Sequence, residues 1–340
     1  TYTDETENLA TDWEASPDGL EVSFHSIMGE REALFMTPSL EELLTICRPC
    51  AAQGQVASYI PELRKSDPRC LGVCLLSCKG ERQIGGDAQV LFTVQSIIKP
   101  LLLLQALLDN GVEVVRAHVG VEATGKPFDA INYTDQVLDS QHLNPMVNMG
   151  AIAVCSLIHG SSYADRFQRL LALTQALAGD APVRINEAVY RSEKSHATKN
   201  RALAYLLKTY GILQDDVEEV LDCYFRACAI STDCTGLAQI GSVLANQGRR
   251  PGTQEALIPP EYARFVNAIL MTCGMYDGSG DFAVRVGVPA KSGVGGGIMA
   301  VVPSRMGIGI FSPALDQKGN SVAGIRLLEL LSHSLDLSIF

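Results

Sequence analysis

Residues 90–104 read Val-Leu-Phe-Thr-Val-Gln-Ser-Ile-Ile-Lys-Pro-Leu-Leu-Leu-Leu, and the fold turns on them. Val90–Val94 is short, apolar and strand-like. A helix is expected to begin at Ser96, run through Leu101–Leu108 and stop at Asp109-Asn110-Gly111. Pro100 fits only the first turn of that helix, where no backbone N–H is needed. Upstream, Leu71–Cys78 and Arg82–Ile84 also read as strands, joined by Lys79-Gly80 and followed by a turn at Gly85-Gly86-Asp87. Residues 39–64 read as helical, broken near Pro49. Downstream, Phe167–Ala178, Asn200–Tyr210, Val217–Cys228 and Cys234–Gln247 carry apolar residues at three- and four-residue spacing, so 112–270 is expected to be mostly helical. Strand signals return at Phe282–Val288, Gly297–Val302 and Met306–Phe311, and Gly324–Leu335 reads as a last helix. Strands at both ends and helices between them imply one α/β domain built from 38–111 and 271–340, with a helical domain over 112–270.

Composition bounds the function. The chain has 340 residues, 47% of them hydrophobic and 19% charged, enough apolar material for a large core and too much for a disordered chain. Its net charge is −11, but eight acids and no Lys or Arg fall in the first thirty residues, so the other 310 carry only −3. An acidic extension over 1–37, read as a solvated segment, therefore precedes a nearly neutral body. Nothing in it suits a phosphate backbone, so nucleic acid is not an expected partner. No apolar run approaches the length that spans a bilayer. Ten cysteines are too dilute for a disulfide scaffold. Several, such as Cys74 and Cys155, sit in apolar runs as small core residues do, which points to a reducing compartment. A cytoplasmic location is expected, or an organellar one if a targeting segment has been removed before Thr1. Cys47-Arg-Pro-Cys50 has no second pair and no nearby His, and the six histidines are scattered, so neither a metal site nor a His-based triad is expected.

Ser96-Ile-Ile-Lys99 is where chemistry concentrates. Ser and Lys three apart on a helix share a face. A serine in the first turn also lies near unpaired backbone N–H groups and the positive end of the helix dipole. Its attack on a carbonyl needs a base, and a desolvated lysine is one once its pKa falls. The second element is Lys291-Ser292-Gly293 in the returning strand segment. The glycines of Lys291-Ser-Gly-Val-Gly-Gly-Gly297 suit a strand whose backbone another group approaches closely. Serine β-lactamases and penicillin-binding proteins pair an S-x-x-K helix with a Lys-[Ser/Thr]-Gly strand. Their Ser-x-Asn or Tyr-x-Asn element has no counterpart here, which argues against a β-lactam or peptidoglycan substrate.

The chain resembles more closely the serine-dependent glutaminases, from about Tyr59 to Leu330. The resemblance rests on Tyr59-Ile-Pro-Glu-Leu63, Gln95-Ser-Ile-Ile-Lys-Pro100 and Asn144-Pro-Met-Val-Asn-Met-Gly-Ala151. It continues through Ser192-Glu193 with Asn200, Leu221-Asp-Cys-Tyr-Phe225, Cys273-Gly-Met-Tyr-Asp277 and Ala290-Lys-Ser-Gly-Val294. It implies an α+β, β-lactamase/transpeptidase-like fold, an antiparallel sheet flanked by helices with an inserted all-helical domain. It also implies hydrolysis of L-glutamine to L-glutamate and ammonia, no cofactor, and a homo-oligomer, dimer or tetramer.

By the same resemblance Ser96 is the nucleophile and Lys99 its base, the backbone N–H groups of Ser96 and Val294 form the oxyanion hole, and Tyr276 relays the nucleophile's proton. Tyr59, Asn148, Glu193, Asn200 and Tyr224 are the residues expected to hold glutamine. The allocation is chemically reasonable: an α-amino group needs a carboxylate such as Glu193, and an α-carboxylate needs amide or phenol donors. The bland alternatives are caps for the asparagines, an exposed ion pair for Glu193 and core packing for the tyrosines. Two other functions fit the motifs: a β-lactamase or D,D-peptidase type amidohydrolase, and a sensor domain that binds glutamine without turning it over.

Overall fold

In the computed structural model, which describes residues 38–131 and 143–340, five antiparallel strands form the central sheet. Their order is Arg82–Gly86, Gly72–Ser77, Met306–Phe311, Gly297–Val302, Ala290–Ser292. Side chains alternate across it. Val73, Leu75, Ile298, Ala300, Ile308 and Ile310 enter one core with the helices Leu40–Cys47 and Val322–Leu335. Cys74, Leu76, Met299, Val301 and Phe311 enter the other, larger core. A strand's period of two assigns each residue to one of these faces. Burial on both faces explains why the strands read as continuous apolar runs.

The helix Cys234–Ala245 lies directly on the sheet. Its approach depends on missing side chains: a Cβ at Gly307 would fall 2.0 Å from the Ser242 nitrogen. Beside the sheet, Phe92–Thr93 pairs antiparallel with Ile230–Thr232, which pairs with Arg184–Ile185. Phe92 stacks on Phe311 with ring centroids 4.4 Å apart, tying this small ribbon to the main sheet.

The architecture is a mixed α/β one with antiparallel sheets, and it amends several readings. The expected strand Phe282–Val288 is instead the helix Ser279–Arg285 and its end. Phe282 and Val286 are buried while Val284 is 89% exposed, a four-residue spacing, whereas a strand would have put all three on one face. The α-helix starts at Lys99, after a 3-10 turn over Gln95–Ile98, and runs to His118 across a break at Gly111 (φ 79°). Gly111 therefore ends the first helical stretch, as expected, with a second one continuing to His118, and Pro100 does sit in the first turn. Residues 39–64 hold one α-helix, two 3-10 turns and the short strand Gln55–Val56. The Val90–Val94 strand shrinks to Phe92–Thr93. The 112–270 segment is mostly helical but supplies the strands Arg184–Ile185 and Ile230–Thr232, so it is not all-helical. The acidic extension over 1–37 lies outside the described residues. All ten cysteines are free thiols, and among the described residues no helix is long and apolar enough to cross a membrane.

Candidate active site

The ribbon delivers Ser96. Val94 N–H donates to the Ile230 carbonyl at 2.8 Å, and the chain then turns sharply through Gln95, whose φ is +48°. A non-glycine residue in the left-handed region is costly and is retained where the surroundings force it, commonly at a functional site. Ser96 and Gln95 are both buried. The N-caps of this turn and of the helix that follows it are Val94 and Ile98, and neither makes a side-chain cap bond.

Lys99 is the first residue of a helix with Leu101, Leu102, Leu103 and Leu104 all buried, so its amine has no route to bulk water and is itself 0% exposed. Nζ donates to the Met146 carbonyl at 3.1 Å and to Asn148 Oδ1 at 2.7 Å. Burial lowers its pKa to about 8, against smaller opposing effects of Cys228, Asp129 and Glu193. A neutral amine has two hydrogens, and two acceptors meet them, leaving its lone pair uncommitted.

Beside Ser96 opens a cavity of about 330 Å³, lined by Ser96, Tyr59, Asn148, Glu193, Asn200 and Tyr224 among others. That volume suits a small molecule. The five residues expected to hold glutamine are thus brought together, although they come from separate parts of the chain. Asn148 begins the helix Asn148–Ser156, and its Nδ2 donates to Asn200 Oδ1 at 2.8 Å. Glu193 is 6% exposed, so it is not a surface ion-pair residue. Burial pushes its pKa up to about 8, opposed by Lys99 and by a hydrogen bond from Gln95. Tyr224 is fully enclosed, and burial holds its hydroxyl well above the ordinary phenol range. Tyr59 is 58% exposed overall. Its phenol is nevertheless held above the ordinary range by desolvation and by the nearby Glu193 and Tyr276.

Tyr276 and Val294 line adjoining clefts that meet the cavity at Phe128. Burial raises the Tyr276 phenol, while the Ser96 hydroxyl and the Val294 backbone N–H, both facing its oxygen, pull the other way. Tyr276 has φ +56°, a second left-handed non-glycine residue at this site. Val294 follows Gly293, where a Cβ would come 2.5 Å from the Val94 carbonyl oxygen. The Lys-Ser-Gly strand is thus pressed against the segment that carries Ser96, the close approach its glycines suggested.

Several residues at the site had no role in the sequence reading. Gln95 turns the chain and bonds Glu193; its place directly before Ser96 was the available signal. Cys228 lines the cavity, and so does His196, read from sequence as structural. Phe128 packs on Tyr276 with ring centroids 4.5 Å apart; nothing local in Lys126-Pro-Phe-Asp129 announces that contact. Among the described residues no His/Cys/Asp/Glu group is arranged to hold a metal ion.

Comparison with known proteins identifies the family. The sequence model of the glutaminase family matches residues 54–340. A glutaminase of Clostridium tetani (strain Massachusetts / E88) is 48% identical over 305 residues, 90% of this chain and the whole of that relative. One of Clostridium botulinum (strain Kyoto / Type A2) is 47% identical over the same shares of both chains. The structure of a probable glutaminase from Bacillus subtilis complexed with 6-diazo-5-oxo-L-norleucine aligns with a TM-score of 0.81 at 41% identity, over 88% of this chain and 95% of that one. A covalent complex of a Bacillus subtilis glutaminase with 5-oxo-L-norleucine, formed by reaction with 6-diazo-5-oxo-L-norleucine, aligns at 0.81 and 40% identity, over 88% and 98%. With 90% of its length matched at nearly half identity, this chain belongs to the glutaminase family.

Proposed function

We propose that the enzyme hydrolyses L-glutamine through an acyl-enzyme on Ser96, with Lys99 as the primary base. One observation carries the assignment: Ser96 opens onto the cavity that Glu193, Asn148 and Asn200 also line, and Lys99, three residues on, is a buried amine that donates to two acceptors. The Ser96 oxygen bonds to the side-chain amide carbon of glutamine while its proton passes to Lys99. The oxyanion forms toward the N–H groups of Ser96 and Val294. The C–N bond then breaks, the nitrogen takes the proton and ammonia leaves. Water adds to the glutamyl ester, its C–O bond to Ser96 breaks, and glutamate departs with the serine proton restored. Tyr276, whose phenol stays protonated, relays protons near the nucleophile; its raised pKa makes it a poorer first acceptor than Lys99.

At the other end of the cavity Glu193 receives the α-ammonium, and Tyr59, Asn148, Asn200 and Tyr224 provide donors and acceptors for the α-carboxylate. Two charged ends matched in one cavity favour a free amino acid over a peptide. The S-x-x-K helix start beside a Lys-Ser-Gly strand supports a β-lactamase/transpeptidase-like fold, with 112–270 as the helical part that walls the cavity. The covalent adduct of the Bacillus subtilis relative supports a nucleophilic mechanism.

The test is ammonia release from glutamine and asparagine, with rapid quenching and peptide mapping for a glutamyl ester on Ser96. Glutamine turnover with the ester on Ser96 is expected. Calorimetric binding of glutamine without ammonia release would instead support the sensor reading, and hydrolysis of nitrocefin without glutamine turnover would support the β-lactamase one.

A further inference from the structure

We infer that Lys291 is a positioning residue for Tyr276, holding the ring so that its oxygen stays against Ser96. The inference rests on the catalytic reading of Tyr276 given above. Lys291 is fully buried. Its Nζ donates to the Ser292 carbonyl at 2.7 Å and lies 4.4 Å from the centroid of the Tyr276 ring. Among the described residues no carboxylate pairs with it. An amine taken out of water with one carbonyl as its oxygen partner is a stability liability, and an apolar chain of the same length would serve a core better. The ring face is the other electron-rich surface it meets, and amine N–H groups are weakly attracted to such a face.

The tyrosine needs such support. Its backbone is pinned: Met275 N–H donates to Ser279 Oγ at 3.0 Å, Ser279 Oγ–H donates to the Tyr276 carbonyl at 2.9 Å, and Asn320 Nδ2 donates to the Met275 carbonyl at 3.3 Å. These bonds hold the φ of +56°. They do not fix the ring. The phenolic oxygen faces the Ser96 hydroxyl and the Val294 N–H but makes no full hydrogen bond among the described residues, so what packs on the ring helps to set it. Among the described residues, the Phe128 ring, 4.5 Å away, and the Lys291 amine pack on the Tyr276 ring. Of the two, Lys291 sits on a central-sheet strand, the more rigid support.

A double-mutant cycle tests this. Lys291→Met should lower kcat for glutamine at least tenfold and leave KM within about threefold, because a misplaced catalytic group costs rate more than binding. In a Tyr276→Phe background, which keeps the ring and removes the hydroxyl, the same substitution should change kcat less than about twofold. Unchanged kcat in Lys291→Met, or the same fold-loss in both backgrounds, would overturn the positioning role while leaving the catalytic reading of Tyr276 intact. A Tyr276→Phe enzyme with wild-type kcat would instead remove that reading, and with it any need to position the hydroxyl. Lys291→Gln, which keeps an N–H for the Ser292 carbonyl, is the second variant for the same cycle. If circular dichroism finds both variants unfolded, Lys291 supports the fold and the inference fails.

Discussion

The Nζ of Lys99 donates a 2.7 Å hydrogen bond to Oδ1 of Asn148. The proposed base and a cavity-lining residue are therefore joined, and the amide of Asn148 extends the link to Asn200. Asn148→Asp would put a carboxylate against the lysine and favour its charged form. The acid limb of kcat/KM should then move to higher pH by about one unit or more, and activity at pH 7 should fall at least tenfold. Rate profiles from pH 6 to 10.5 decide it; a limb that stays in place would uncouple Asn148 from the base.

In the wild type that limb should be centred near the Lys99 value of about 8. The neutral amine is the active form, so kcat/KM rises with pH. Glu193 is also raised to about 8 and must lose its proton to receive an α-ammonium, so its titration acts in the same direction. The observed value belongs to the coupled pair. Lys99→Arg, which stays charged throughout this range, should lose both the limb and most of the activity. Near wild-type rates in that variant would transfer the role of base to Tyr276.

Ser96→Ala should reduce kcat by several orders of magnitude and shift Tm by no more than about 2 °C, since Ser96 is the N-cap of neither helical stretch. Peptide mapping after exposure to 6-diazo-5-oxo-L-norleucine should find the wild type labelled on Ser96 and the variant unlabelled. Turnover within tenfold of wild type excludes the covalent route.

Glu193→Gln should raise KM for glutamine at least tenfold, because a buried charge pair losing one member costs about 2–5 kcal/mol. It should also change the pH dependence of stability. The folded carboxyl titrates near 8 and the unfolded one near 4.5, so the folded state holds the extra proton between those values and wild-type stability falls as pH rises through that window. The Tm of the variant minus that of the wild type should therefore grow from pH 5 to pH 8.5, read by calorimetry. A constant difference would place Glu193 in contact with water.

Gly293→Ala brings a Cβ to 2.5 Å from the Val94 carbonyl oxygen, a backbone atom two residues before the nucleophile. Relief requires the strand and the Ser96 segment to separate, which moves the Val294 amide from the site where the oxyanion forms. A displaced oxyanion donor costs about 10²–10³ in kcat. A kcat loss of at least tenfold, with KM little changed, is the expected result in steady-state assays. Wild-type kcat would dissociate the Val294 amide from catalysis.

The sequence by itself determined the elements whose signals are local. Gly297–Val302, Met306–Phe311 and Val217–Cys228 have the same ends in the structure as in the apolar pattern, because period two and period 3.6 are properties of a short window. The placing of Pro100 in a first helical turn followed from its missing N–H. Of the residues picked out by the ordered motifs from Tyr59 to Val294, Tyr59, Ser96, Asn148, Glu193, Asn200 and Tyr224 line one cavity, and Tyr276 and Val294 line clefts beside it. Local pattern failed at Phe282–Val288, where alternating apolar residues fit two periods and only packing chose between them.

Tertiary structure alone decided the electrostatics and the strain. The burial of Glu193 cannot be read from the polar stretch Arg191–Lys199, because the groups that exclude water from it come from elsewhere in the chain. The left-handed turn at Gln95 exists because a ribbon built from residues more than a hundred positions apart fixes the chain before it. The partners of Lys99 lie 47 and 49 residues away, and its pKa is set by what those contacts exclude. Periodicity carries information about neighbours along the chain; desolvation and forced backbone geometry are sums over neighbours in space, and these set the surroundings of Ser96 and Lys99.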